Sequence, residues 1–115
     1  MFNRHSDEHY HPMIEGIAIK TLVYGKETLM SKFSLKKGSL LPSHTHPHEQ
    51  TGYLVSGRMV LYIGDEHREV KTGDSWCIPS GVKHRAEVLE DSYALEIFSP
   101  MREDYLRFLD KERCS

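Results

Sequence analysis

The sequence predicts an all-β domain, a barrel or sandwich closed by one short helix. Three observations carry this. Short apolar runs recur at near-regular spacing along most of the 115 residues, the signature of many short strands. Between them fall the Gly, Asp and Ser clusters that hairpins require. Only the end of the chain changes to helical spacing of its apolar residues.

In order, residues 17–23 read as an early strand and Tyr24-Gly25-Lys26-Glu27 as a turn. Leu29, Ser31, Phe33 and Leu35 alternate with Met30, Lys32, Ser34 and Lys36, the period-2 pattern of a half-buried strand. Further strands are predicted at 53–55, 59–63, 75–78, 86–89 and 93–98. Ser56-Gly57, Gly64-Asp65, Thr72-Gly73, Ser80-Gly81 and Glu90-Asp91 punctuate them as turns. Ser99 can cap a helix and Pro100 can occupy its first position. Tyr105, Leu106, Phe108 and Leu109 then form an apolar stripe, so a helix over about 100–111 packs on the barrel or on a partner subunit. The expected organisation is one domain over 1–115, with a barrel core at about 15–99. A chain of this size buries a modest core, and a homodimer is the expected supplement.

Fifteen Lys+Arg stand against 17 Asp+Glu with no basic stripe, which argues against nucleic-acid binding. No apolar run approaches the roughly 20 residues of a membrane span, so no membrane partner is expected. The opening residues show no apolar signal region. Cys77 and Cys114 are the only cysteines, a poor basis for a disulfide framework. A reducing cytoplasm is the expected location.

Chemistry concentrates in two glycine-framed segments. In Gly38-Ser-Leu-Leu-Pro-Ser-His44-Thr-His46-Pro-His-Glu-Gln50, His44, His46 and Gln50 lie close enough to share one metal. His-x-His on a strand turns both rings to one face, and imidazole is the commonest ligand for divalent transition metals. Gly73-Asp-Ser-Trp-Cys-Ile-Pro79-Ser-Gly81-Val-Lys-His84 adds His84. His48 lies between candidate ligands but reads as a loop residue, because Pro47 interrupts the ladder there. Glu49 is the alternative to Gln50. Three imidazoles and an amide oxygen are neutral, so a divalent ion held by them keeps its full charge and favours an anionic substrate. The expected cofactor is one divalent ion per chain, of Zn, Ni, Fe, Mn or Co.

Gly38, His44, His46, Gln50 and Gly57 stand at the spacing of the first cupin motif, with Gln where Glu is usual. Gly73, Pro79, Gly81 and His84 resemble the second motif, whose closing Asn is replaced by Val88. The resemblance implies a cupin jelly roll, a double-stranded β-helix barrel, with His44, His46, Gln50 and His84 as metal ligands.

A further group lies near the C-terminus. Alternation puts Ala94, Glu96 and Phe98 on one strand face. Either that face points inward and Glu96 lines a cavity, or Leu95 and Ile97 fill the core and Glu96 is solvated. Trp76 and Tyr62 are expected in the core or cavity wall, and Arg58 either at the pocket or in water. Ile97-Phe-Ser-Pro-Met-Arg-Glu-Asp-Tyr105, following the histidine segment, resembles the small cupins of pectin and alginate breakdown that linearise 4,5-unsaturated uronates. That resemblance implies an acidic residue, a Phe and an Arg as the functional set, here Glu96 (usually Asp), Phe98 and Arg102. It makes Glu96 and Arg102 catalytic, and Phe98 and Arg102 contacts for a small anionic sugar. The competing expectations are a metal-dependent dioxygenase and a non-catalytic cupin that binds a small molecule.

Overall fold

The computed structural model describes residues 1–115. Eight strands run β1 His11–Ile14, β2 Ile17–Tyr24, β3 Leu29–Leu35, β4 Leu40–His44, β5 Glu49–Ile63, β6 Glu66–Lys71, β7 Ser75–Ile78 and β8 His84–Ser99. All pairings are antiparallel, and β1-β2-β3-β8-β5-β6 form a continuous path, with β4 on β8 and β7 on β5. The long strands β5 and β8 are the spine. The C-terminal half of β8 pairs β3 and its N-terminal half pairs β4, while β5 pairs β7 along its first half and β6 along its second. The sheet therefore folds over on itself, and its inward side chains fill the space between the two halves.

Two predicted turns are bends inside these strands. Ser56-Gly57 and Glu90-Asp91 lie opposite each other in the β5–β8 ladder, where the register shifts repeatedly. Before the bend, even-numbered residues of β5 (Gln50, Gly52, Leu54) are buried; after it, odd-numbered Met59 and Leu61 are. Between the Leu54–Ala94 and Met59–Val88 pairs β5 advances five residues and β8 six, an odd step that changes the inward phase of β5 and an even step that keeps that of β8. Gly57 has φ +106°, and a Cβ there would meet the Asp91 carbonyl at 2.6 Å.

Strands β1, β4 and β6 are absent from the strands that the sequence pattern predicts. Every residue of β1 is exposed, and Val70 alone is buried in β6. Such strands exist because a neighbour offers its ladder, and no apolar alternation marks them.

The closing helix is shorter and tighter than expected. β8 runs through Ser99, and a 3-10 helix occupies Glu103–Phe108. Neither Ser99 nor Pro100 starts it; Arg102 stands at its N-terminal boundary. Three residues per turn align positions three apart, so Tyr105 and Phe108 share a face and are buried against Ile19, Leu29 and Phe98. Thr21 Oγ1 donates to the Tyr105 carbonyl at 2.7 Å and pins the helix to β2. The apolar stripe is thus spent on the barrel.

Candidate metal centre

His44 ends β4 and pairs across the ladder with His84, which opens β8. His46 follows two residues later in a loop anchored by the Gly81 amide, which donates to the His46 carbonyl at 2.9 Å, and by Ser80 Oγ, which donates to the Pro47 carbonyl at 2.6 Å. The second glycine-framed segment thereby shapes the first. One nitrogen from each of His44, His46 and His84 lies within 4.8 Å of the others.

The protons are placed by the backbone. Nδ1 of His44 faces the Pro42 carbonyl at 2.9 Å, Nδ1 of His46 the His48 carbonyl at 3.0 Å, and Nδ1 of His84 the Val82 carbonyl at 2.9 Å. Carbonyls only accept, so each neutral ring carries its proton on Nδ1 and leaves Nε2 as a lone pair. Backing one ring nitrogen so that the other is free is how metal-binding histidines are oriented. His84 Nε2 is buried with no hydrogen-bond partner. His46 Nε2 stands 2.9 Å from Gln50 Oε1, two acceptors face to face, an opposition that a shared cation relieves. This donor set fits a divalent ion.

Burial lowers the His84 pKa to about 4 and moves that of His46 down as well. Both rings therefore stay neutral, as metal binding requires. Glu96 is 7% exposed, and burial raises its carboxyl to about 8; at neutral pH it is a protonated acid. One cavity of about 260 Å³ is lined by His44, Gln50, His84, Glu96, Phe98, Arg102 and Tyr105 together with aliphatic side chains from the barrel wall. Arg102 lies at 3.8 Å over the Tyr105 ring and 5.1 Å from that of Phe98, while its Nε donates to Asp104 at 3.0 Å.

A family model described as "Cupin domain" matches residues 31–99. The chain belongs to the cupin family. Among curated proteins this cupin is similar to the pectin degradation protein KdgF of Dickeya dadantii, 31% identical over 94 residues that cover 80% of this chain and 86% of the relative. The solved structure of KdgF from Halomonas sp. superposes with a TM-score of 0.85 at 27% identity, covering 90% of this chain and 96% of that one. An RmlC-like cupin from Shewanella frigidimarina gives the same TM-score at 26% identity, over 90% and 94% of the two chains. The jelly-roll expectation and the resemblance to pectin-degradation cupins are both met.

The inward parity of β8 is resolved: Ala94, Glu96 and Phe98 are buried, while Leu95 and Ile97 lie on the outer side. Gln50 is buried and Glu49 exposed, so Gln50 is the residue turned toward the histidines. His46 packs its ring edge-on against Phe98 rather than lining the cavity. His48 contributes its carbonyl to orient His46. Arg58 stays outside, paired with Glu69 at 2.7 Å and Glu90 at 3.4 Å. Tyr62, expected in the core or cavity wall, is instead sandwiched on the outer face between Arg85 and His67. Tyr105, read only as part of an apolar stripe, is a cavity wall. Its spacing of three from Arg102 was the available signal, given a 3-10 period.

Proposed function

We propose that this cupin holds one divalent transition metal ion through His44, His46, Gln50 and His84 and opens the ring of a small 4,5-unsaturated uronate. The observation that carries this reading is the shared cavity: His44 and His84 of the histidine cluster, a neutral buried carboxyl at Glu96 and a guanidinium at Arg102 border one space. When bound, the metal supplies a Lewis acid that polarises a hydroxyl or carboxylate oxygen.

Arg102 recognises the uronate carboxylate. Asp104 occupies its Nε, which leaves the two terminal nitrogens as the fork for a charge-assisted pair. Phe98 is the apolar wall against the sugar ring. Ring opening requires the anomeric hydroxyl to lose its proton as the bond from the anomeric carbon to the ring oxygen breaks. The enol so released becomes a ketone when a proton reaches the carbon of its double bond. Glu96 carries both transfers: as the protonated acid it gives its proton to that carbon, and the carboxylate so formed takes the anomeric proton, which restores the acid.

The test is optical. The conjugated double bond absorbs in the ultraviolet, and metal-loaded protein is expected to remove that absorbance faster than it decays spontaneously. Spontaneous decay with both galacturonate- and mannuronate-derived substrates would refute the function. In the same assay Arg102→Ala is expected chiefly to raise KM. A lost charge-assisted bond costs about 1.5–3 kcal/mol, roughly a ten- to hundredfold change.

Gln50→Glu is expected to retain or strengthen metal binding, since a carboxylate adds attraction, and to weaken the anionic substrate for the same reason. Equal substrate affinity in both proteins would place Gln50 outside the metal's ligands. We also expect a homodimer. With Tyr105 and Phe108 inside the protomer, the exposed apolar side chains open to pairing include Tyr53, 47% exposed, and Val55, 37% exposed, on the outer face of β5. A monomeric mass by light scattering at tens of micromolar would contradict it.

A further inference from the structure

Gly52 lies in register with Trp76 of β7 on one side and Glu96 of β8 on the other. Residues two strands apart have backbones separated by roughly 10 Å, and a side chain on the middle strand normally stands between them. Here there is none. A Cβ built on Gly52 would collide with Trp76 Nε1 and with Glu96 Oε2, so the indole and the carboxyl lean over the bare backbone toward each other. Both atoms are buried, and neither has a hydrogen-bond partner in the structure. Leaving such a group unpaired in the interior is destabilising. An orphan donor and an orphan acceptor that share one gap can satisfy each other with a small shift of either side chain.

We propose that Trp76 is a positioning residue for Glu96: its indole N–H is the fixed donor to Oε2, seated across Gly52, and it holds the carboxyl so that Oε1 is the oxygen presented to the cavity. This rests on the reading of Glu96 as the proton carrier, and adds to it the group that fixes the orientation of that carboxyl. Glycine inside a strand commonly marks a close approach of other groups, and here the groups are identified. Trp76 does not touch the substrate; it acts through Glu96.

Trp76 is the only tryptophan, so nitrogen-15-labelled protein shows a single indole N–H cross-peak that reports this contact without any turnover. The expected result has three parts. The peak moves upfield in Glu96→Ala, which removes the acceptor. It stays near its wild-type position in Glu96→Gln, whose amide oxygen accepts the same bond. Trp76→Phe keeps the ring but not the donor, and lowers kcat about two- to tenfold with KM unchanged, as the loss of one neutral hydrogen bond predicts. An indole peak unmoved by Glu96→Ala, or an unchanged kcat in Trp76→Phe, overturns the proposal. Should Trp76→Phe fail to fold, the two Glu96 variants still decide it. If the peak moves as expected but wild-type protein leaves unsaturated uronates intact, the contact stands and the uronate reading falls. Turnover with an unmoved peak would keep the uronate reading and discard the contact.

Discussion

Glu96→Gln is expected to lower kcat for ring opening about a hundredfold or more, because the amide keeps size and hydrogen bonding but cannot cycle a proton. The same substitution is expected to stabilise the metal-free protein at alkaline pH. Burial raises this carboxyl from 4.5 to about 8. Between those values the folded chain retains a proton that the unfolded chain has released, so wild-type stability falls as pH rises through that window. Each unit of difference is worth about 1.4 kcal/mol. Relative to wild type, the Gln variant should therefore gain on the order of 3–5 kcal/mol between pH 4.5 and pH 8. Urea midpoints measured with chelator across that range test it, and a stability difference that does not change with pH would show that Glu96 is not the buried acid described. Loss of activity together with gain of stability separates a functional carboxyl from one that merely props up the core, whose removal would lower both.

His84→Ala or His46→Ala is expected to lose most of the bound metal, measured by elemental analysis of protein carrying no polyhistidine tag. Protonated imidazole cannot act as a ligand, so occupancy falls with acid. Burial holds His84 neutral down to about pH 4, whereas a free imidazole takes up its proton near 6.5. Release is accordingly expected between about pH 6.5 and pH 4, later than for an exposed histidine cluster. Full occupancy in a His44/His46/His84 triple alanine variant would sink the assignment.

Much of the site was legible because its residues sit in segments punctuated by glycine and proline, where spacing alone constrains geometry. His44, His46 and His84 converge as the two segments suggested. The orientation of Glu96 was not legible, since a strand with Ala94, Glu96 and Phe98 on one face and Leu95 and Ile97 on the other offers two faces of similar apolar character. Parity is decided by the neighbours, β3 and β5, which the local pattern does not contain. The same limit explains the edge strands. His11–Ile14 and Glu66–Lys71 bury almost nothing and are strands only because Ile17–Tyr24 and the second half of β5 offer unpaired ladders. Ser56-Gly57 and Glu90-Asp91 carry ordinary turn chemistry, and only their mutual register reveals that both chains continue through the bend. Trp76 and Gly52 are unremarkable as sequence; the contact that unites them with Glu96 spans three strands.

The bulged stretch around Gly57 divides β5 into two lengths of opposite phase, even residues inward before it and odd residues inward after it. A strand in a single phase can slide by two residues and still present a plausible face to the core. This one cannot find a second alignment so easily, because sliding moves the phase change away from the bend of β8 that receives it. The bulge thus works as an index mark, giving the two spine strands one setting in which both halves close. Gln50 and Gly52 lie on one side of that mark, and Glu96 and Phe98 lie opposite them. The spatial precision of the site is therefore inherited from a residue that takes no part in it.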